Sequence, residues 1–364
     1  MSWIGMTDHD RSLFNPAGLG EARRGQPEMA APNDILPKGT LIVETQFIAT
    51  EGNVQVPLAY RRTKDWLREL RISLSAKGEM TVDLRQGGTT FCATLRFPVP
   101  DRDTMIRLYY SWNGPERWAR LAVKFVETGT FHIVHVRDPL PMPVLDALTI
   151  MRNGKATKLP AEAVFAAISD KVEPVGLSAG VVEGTLVETP SGAVPVDRLR
   201  LGDHVVTASS GAQPTRWITR RTVPALGAFR PVRLRAPFFG MQEDILVAPD
   251  HRIRVSGADT EYLLGSDEVL LEAGRLVGSH AARVETRLKT VTYYHVLLDQ
   301  HECLLHDALW AESLYVGQIA ADRTRLNATA LGQMPASAVP VHRGYAQHRV
   351  NEHEAQSLAT VLHR

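Results

Sequence analysis

From residue 40 onward the chain is cut into short runs rich in Val, Ile, Leu, Phe and Tyr, each halted by turn-forming residues: 40–49, 54–61, 67–75, 80–85, 90–97, 105–112, 118–126 and 131–136. Runs at such even spacing, with turns such as Ala76-Lys77-Gly78-Glu79 between them, predict antiparallel strands in a sandwich or jelly roll. In Met80-Thr81-Val82-Asp83-Leu84-Arg85 the apolar residues occupy alternate positions, so even numbers face a core and odd numbers face water. The expected first domain is a jelly-roll-like β-sandwich over 38–158, its first sheet closed by 144–153. Residues 1–37 mix Gly, Pro, Asn, Asp and Arg without an apolar period and read as a flexible leader. Pro160 sits at the start of 160–171, where Ala163, Val164, Ala167 and Ile168 fit a short helix inside a linker, 159–179.

Strands resume after the linker with glycine-bearing turns between them: 186–189, 204–207, 216–218, 232–234, 245–247, 253–255, 269–271, 291–298 and 302–305. A second all-β domain over 180–317 follows, then a helical or irregular extension, 318–364, whose histidines His342, His348, His353 and His363 read as solvated. A length of 364 residues accommodates two such domains. The 41 basic side chains are balanced by 40 acidic ones, which argues against nucleic acid as a partner, because coating phosphates requires a surplus of cations. No stretch reaches the ~18 apolar residues of a membrane span, and the first 25 residues lack the basic and apolar regions of a signal peptide. Cys92 and Cys303 lie far apart, without the spacing of a zinc site or disulfide scaffold. The expectation is a cytoplasmic chain with no cofactor or metal, export by a leaderless route remaining open.

The second domain carries a succession of separated segments. Gly180-Val-Val-Glu-Gly184-Thr185 leads through Thr189-Pro190-Ser191-Gly192 to Val194 and Val196, then to Leu201-Gly202-Asp203. Further on come Gln213-Pro-Thr-Arg216-Trp217-Ile218, Ala248-Pro249-Asp250-His251, and Tyr294-His295 running on to Asp299, His301-Glu302 and Glu312-Ser313. This order resembles the Hint domain of Hedgehog autoprocessing domains and inteins, in its bacterial branch, over about 180–317. A weaker, architectural resemblance links 38–158 to concanavalin and laminin-G-like jelly rolls. On the residues alone, Pro190 suits the first central position of a turn and Gly192 a positive φ.

The resemblance implies self-cleavage chemistry: a Cys or Ser four positions before the Gly-Thr pair attacks the preceding carbonyl, and a histidine in a Thr/Ser-X-X-His segment protonates the departing amine. Here the nucleophile position is Gly180 and the hydroxyl position is Ala248. His251 persists as the candidate general acid, with His295 and His301 as a candidate polar cluster, structural rather than metal-binding. Ala311-Glu312 stands where an intein ends in His-Asn, so asparagine cyclisation is excluded there. Ser178 lies two residues from Gly180, a displacement of ~6–7 Å along a strand, too far to substitute as nucleophile. Cys303 sits in the apolar run Glu302-Cys303-Leu304-Leu305 and is expected to pack as a small hydrophobe. Three functions therefore stand: a degenerate, uncut Hint domain serving as scaffold or interaction module; residual cis-acting autoproteolysis near Ala179-Gly180 assisted by His251; and glycan binding by the sandwich, with Trp112 and Trp118 stacking on sugar rings. The partner is an unidentified protein or glycan, and whether the chain is an enzyme stays open.

Overall fold

The computed structural model describes residues 3–20, 34–49, 52–177 and 179–362. It divides into two compact units, residues 1–176 and 177–364. Ser178, His363 and much of the second half of the expected leader lie outside the described residues.

The first unit is a β-sandwich. One sheet has seven strands in the order Phe131–Arg137, Trp118–Phe125, Thr104–Asn113, Lys38–Phe47, Ala163–Ser169, Trp3–Thr7, Ser12–Phe14. The other has five, Thr157–Lys158, Gln55–Arg62, Arg68–Ser75, Glu79–Gln86 and Thr89–Arg96. Their inner faces share one core: Leu41, Val43, Leu108 and Leu121 from the first sheet meet Leu58, Leu70, Ile72 and Val82 from the second. The alternation read from residues 80–85 holds, since Met80, Val82 and Leu84 are buried while Thr81 and Asp83 are partly exposed and Arg85 is exposed.

Two segments exchange the roles expected of them. Residues 160–171 form no linker helix; Ala163–Ser169 is a strand held between Lys38–Phe47 and Trp3–Thr7. It is buried on both faces, and a continuous apolar run has no period that separates strand from helix. Conversely, Val144–Met151, expected to close the first sheet, is a helix whose buried face presents Val144, Ala147, Ile150 and Met151. The start of the chain is not a loose leader either: Trp3–Thr7 is wholly buried and extends the seven-stranded sheet.

The second unit contains a six-stranded sheet ordered Trp217–Pro224, Thr290–Leu297, Val181–Val182, Ile245–Val247, Val232–Leu234, Ala282–Val284. Its seven-stranded sheet runs Gly211–Pro214, His204–Thr207, Cys303–His306, Leu309–Glu312, Arg252–Ser256, Glu268–Glu272, His348–Arg349. The hairpin Leu186–Thr189 to Gly192–Pro195 closes with Thr189 opposite Gly192, whose φ of 108° is the conformation the turn demanded. The extension after 317 belongs to this unit: His348–Arg349 adds a parallel strand beside Glu268–Glu272, and Val350, Ala355 and Leu358 join its core. No helix among the described residues is long and apolar enough to cross a membrane.

Candidate functional site

Val181–Val182 is a two-residue strand wedged between Thr290–Leu297 and Ile245–Val247, with Val181 opposite both Tyr294 and Val247. That pairing brings Gly180 against two of the segments singled out by sequence. The Gly180 carbonyl accepts the Ala248 amide at 2.8 Å. A Cβ built on Gly180 would stand 2.7 Å from the Tyr294 carbonyl oxygen and 3.1 Å from the His295 ring atoms Cε1 and Nδ1. Gly180, Ala248 and His295 thus share one small region, with no space for a side chain at the first of them.

His251 follows Ala248 through a tight turn, its amide donating to the Ala248 carbonyl at 3.0 Å, and its own carbonyl is fixed by the Ala273 amide at 2.9 Å. The imidazole is buried, and neither ring nitrogen has a hydrogen-bond partner among the described residues. Burial pushes its pKa below the usual histidine range, against the pull of Glu312, so the ring is neutral at pH 7. A general acid needs the opposite state before it can give up a proton.

His301 belongs to a second cluster. Its Nδ1 accepts the Ala346 amide at 2.9 Å, which leaves Nε2 as the ring's donor, 3.4 Å from Glu312 Oε2. Glu312 also accepts the Arg252 amide at 2.9 Å and the Arg252 guanidinium at 3.1 Å. Burial would favour its neutral acid, yet Arg252 and His301 hold the carboxyl down at about 2. The Arg252 guanidinium lies over the Tyr345 ring, which stacks on Tyr315 at 4.0 Å. Cys303 is fully buried and donates to Gln347 Oε1 at 3.1 Å, and burial pushes its thiol up to about 12, so it packs rather than reacts. Among the described residues no group of three or more His, Cys, Asp or Glu is placed to hold a metal ion.

Sequence reasoning missed Arg252, Tyr345 and Gln347, because the tail that supplies the latter two has no strong period. His342, expected to be solvated, is 4% exposed, accepting the Val316 amide at 3.2 Å while its Nε2 faces the Leu298 carbonyl at 3.1 Å. In the first unit, Trp112 is fully buried, stacked on Tyr110 with its indole N–H on the Leu36 carbonyl, so it fills the core and cannot meet a sugar. Trp118 is partly exposed, its N–H donating to Glu116 and its ring edge-on to His135.

His306, unnoticed in the sequence, sets a pH limit. Its Nδ1 lies 2.8 Å from the Leu186 carbonyl, and burial lowers its pKa to about 4. An unfolded chain takes up this proton near pH 6.5 and the folded one only near 4. The stability contributed by the neutral ring is therefore complete above 6.5 and lost as the pH falls through 4, at a cost approaching ~3 kcal/mol. Urea unfolding of the second unit at pH 7 and pH 4 should show this loss, and His306→Gln should flatten it; equal pH slopes for both proteins would remove His306 from the account.

A family model for the Hint domain matches residues 179–318. No curated protein matches. Among solved structures, a splice-inactive AceL NrdHF class 3 split intein is 14% identical with a TM-score of 0.26, covering 36% of this chain and 95% of its own. The IT-sialidase CBM40 of Ruminococcus gnavus, bound to alpha2,6 sialyllactose, is 10% identical with a TM-score of 0.26, over 37% of this chain and 77% of its own. The LG1-3 region of the laminin alpha2 chain is 12% identical with a TM-score of 0.26, over 86% of this chain and 56% of its own. At those scores the three likenesses carry no functional weight. The succession of segments from Gly180 to Ser313 and the family match cover the same stretch: residues 179–318 are a Hint domain.

Proposed function

We propose that this Hint domain no longer cleaves its own chain and persists as an intact β scaffold or interaction module, following the sandwich in the sequence. One observation carries the reading: Gly180, which the resemblance puts at the position of the attacking residue, is packed so closely that even a Cβ would collide with the Tyr294 carbonyl. A backbone acyl group has nothing to migrate to, and no thioester or ester can form. The loss of a hydroxyl at Ala248 and the neutral His251 point the same way. The rival, residual autoproteolysis at Ala179-Gly180, draws on His251, whose two ring nitrogens, without a hydrogen-bond partner among the described residues, would serve a substrate amide.

Intact-mass measurement of the chain made in cells separates the two. A single species at the full 40.2 kDa is expected, for the native chain and for Gly180→Cys alike, since a cysteine enters only if Thr290–Leu297 moves aside. Fragments meeting at residues 179 and 180 that disappear in His251→Ala would overturn the non-cleaving reading. Cleavage confined to Gly180→Cys would refute the crowding argument while leaving the native chain uncut.

A further inference from the structure

At one end of the sandwich three strands finish together, with Arg62 opposite Arg68 and Arg68 opposite Gln86. Alternation continues the inward rows Leu58-Tyr60-Arg62 and Ile72-Leu70-Arg68, so two guanidiniums emerge at the mouth of an apolar core instead of in water. The fold gives them one buried carboxylate. Asp146, from helix Val144–Met151, accepts the Tyr60 hydroxyl at 2.6 Å and lies 3.2 Å from Arg68 Nη1. Asp65, 3.6 Å from Arg62 Nη2, has a 64% exposed side chain and is screened by solvent. Arg62 Nη1 and Arg68 Nε remain: both are buried, neither has a hydrogen-bond partner among the described residues, and Arg68 as a whole is only 7% exposed. Buried cationic donors are ordinarily paired, and these two are short of an acceptor.

Trp66 stands beside them in the connection between the strands. It is 50% exposed, with the Arg68 guanidinium 5.4 Å from its ring centroid. Gly87, at φ 60°, lets the indole lie over the neighbouring turn, since a Cβ there would come within 3.0 Å of the ring. The stretch Arg61-Arg62-Thr63-Lys64-Asp65-Trp66-Leu67-Arg68 thus sets four cations against one carboxylate around a half-open aromatic ring.

We propose that this end of the sandwich binds a carboxylate-bearing saccharide, the spare N–H groups of Arg62 and Arg68 taking the carboxylate and Trp66 stacking on the apolar face of the sugar ring. Planar guanidiniums match a carboxylate in a way that a point charge does not, and an indole beside polar donors suits a ring with one apolar face and a hydroxylated edge. Nucleic acid is the weaker fit, because the chain's net charge of +1 supplies little release of counterions. The site is independent of the fate of Gly180.

The test titrates the full chain with a panel of oligosaccharides bearing uronic or sialic acids, with maltotriose as neutral comparator and an oligothymidylate as nucleic-acid comparator, by calorimetry and tryptophan fluorescence. At least one acidic saccharide should bind saturably, and Trp66→Ala and Arg62→Gln should each weaken it by about tenfold or more with the melting temperature unchanged. Trp66→Phe should retain most of the binding. No acidic saccharide binding, equal binding of maltotriose, preference for the oligothymidylate, or affinity indifferent to both substitutions would overturn the proposal. Should Arg62→Gln lower the melting temperature, the exposed Trp66 variants decide alone.

Discussion

A chain ending at Pro340 is expected to lose about 5 kcal/mol of stability in its second unit and to open Cys303 to thiol reagents. The segment removed contains Val350 at 8% exposure, Ala355 at 3% and Leu358 at 0%, all in the core of the second unit. Their transfer from water alone approaches that figure, at ~1.5–3 kcal/mol for a fully buried Val or Leu side chain. Polar losses add to it: the Ala346 amide leaves His301 Nδ1, Gln347 leaves the Cys303 thiol, and His342 leaves the Val316 amide. The parallel strand His348–Arg349 goes too, exposing the edge of Glu268–Glu272. Cys92 is exposed and serves as an internal standard. In the full chain a disulfide reagent should modify Cys92 alone; in the shortened chain Cys303 should react under native conditions, and the urea midpoint of the second unit should fall. Unchanged Cys303 reactivity together with a midpoint shift below ~1 kcal/mol would show that the extension adds nothing to the fold.

That dependence also explains what the sequence left illegible. Alternation could be read wherever one face of a strand is wet, as in Met80 to Arg85, and the strand positions it suggested are observed. It failed at Ala163–Ser169, where both faces are buried and the local pattern vanishes. The helix Val144–Met151 had its period available in Val144, Ala147, Ile150 and Met151, but its eight residues are short enough to pass for a strand. In the site, Gly180, Ala248 and His295 were legible because the order of the resembling segments places them, whereas the Ala346 amide on His301 and the Gln347 side chain on Cys303 come from more than forty positions along the chain. Such long-range pairing leaves no local signature. Trp112 and Trp66 illustrate the same limit: exposure belongs to the fold, and of the two indoles named from sequence Trp112 is buried and Trp118 only partly exposed, while the half-exposed Trp66 went unnamed.

Glu312→Ala should destabilise the second unit by about 3–5 kcal/mol, the range for breaking a buried ion pair from one side. The carboxylate is 4% exposed and is shared by the Arg252 amide, the Arg252 guanidinium and the Nε2 side of His301. Alanine leaves a largely buried cation with Glu272, 3.3 Å away, as its carboxylate neighbour among the described residues. Glu312→Gln keeps the volume and one acceptor oxygen, so it should cost less, and the difference between the two variants measures the charge. The pH dependence gives an independent readout. With a folded pKa of about 2 against 4.5, the carboxylate contributes stability that is whole above 4.5 and disappears as the pH drops through 2. That window lies below the one set by His306, whose loss is complete near 4. The native chain should therefore weaken in two stages on acidification, and Glu312→Gln should abolish the lower stage while leaving the upper one in place. A cost below ~1 kcal/mol for Glu312→Ala, or an acid profile unchanged below pH 4.5 in Glu312→Gln, would mean that the Arg252–Glu312–His301 contacts do not hold the domain together.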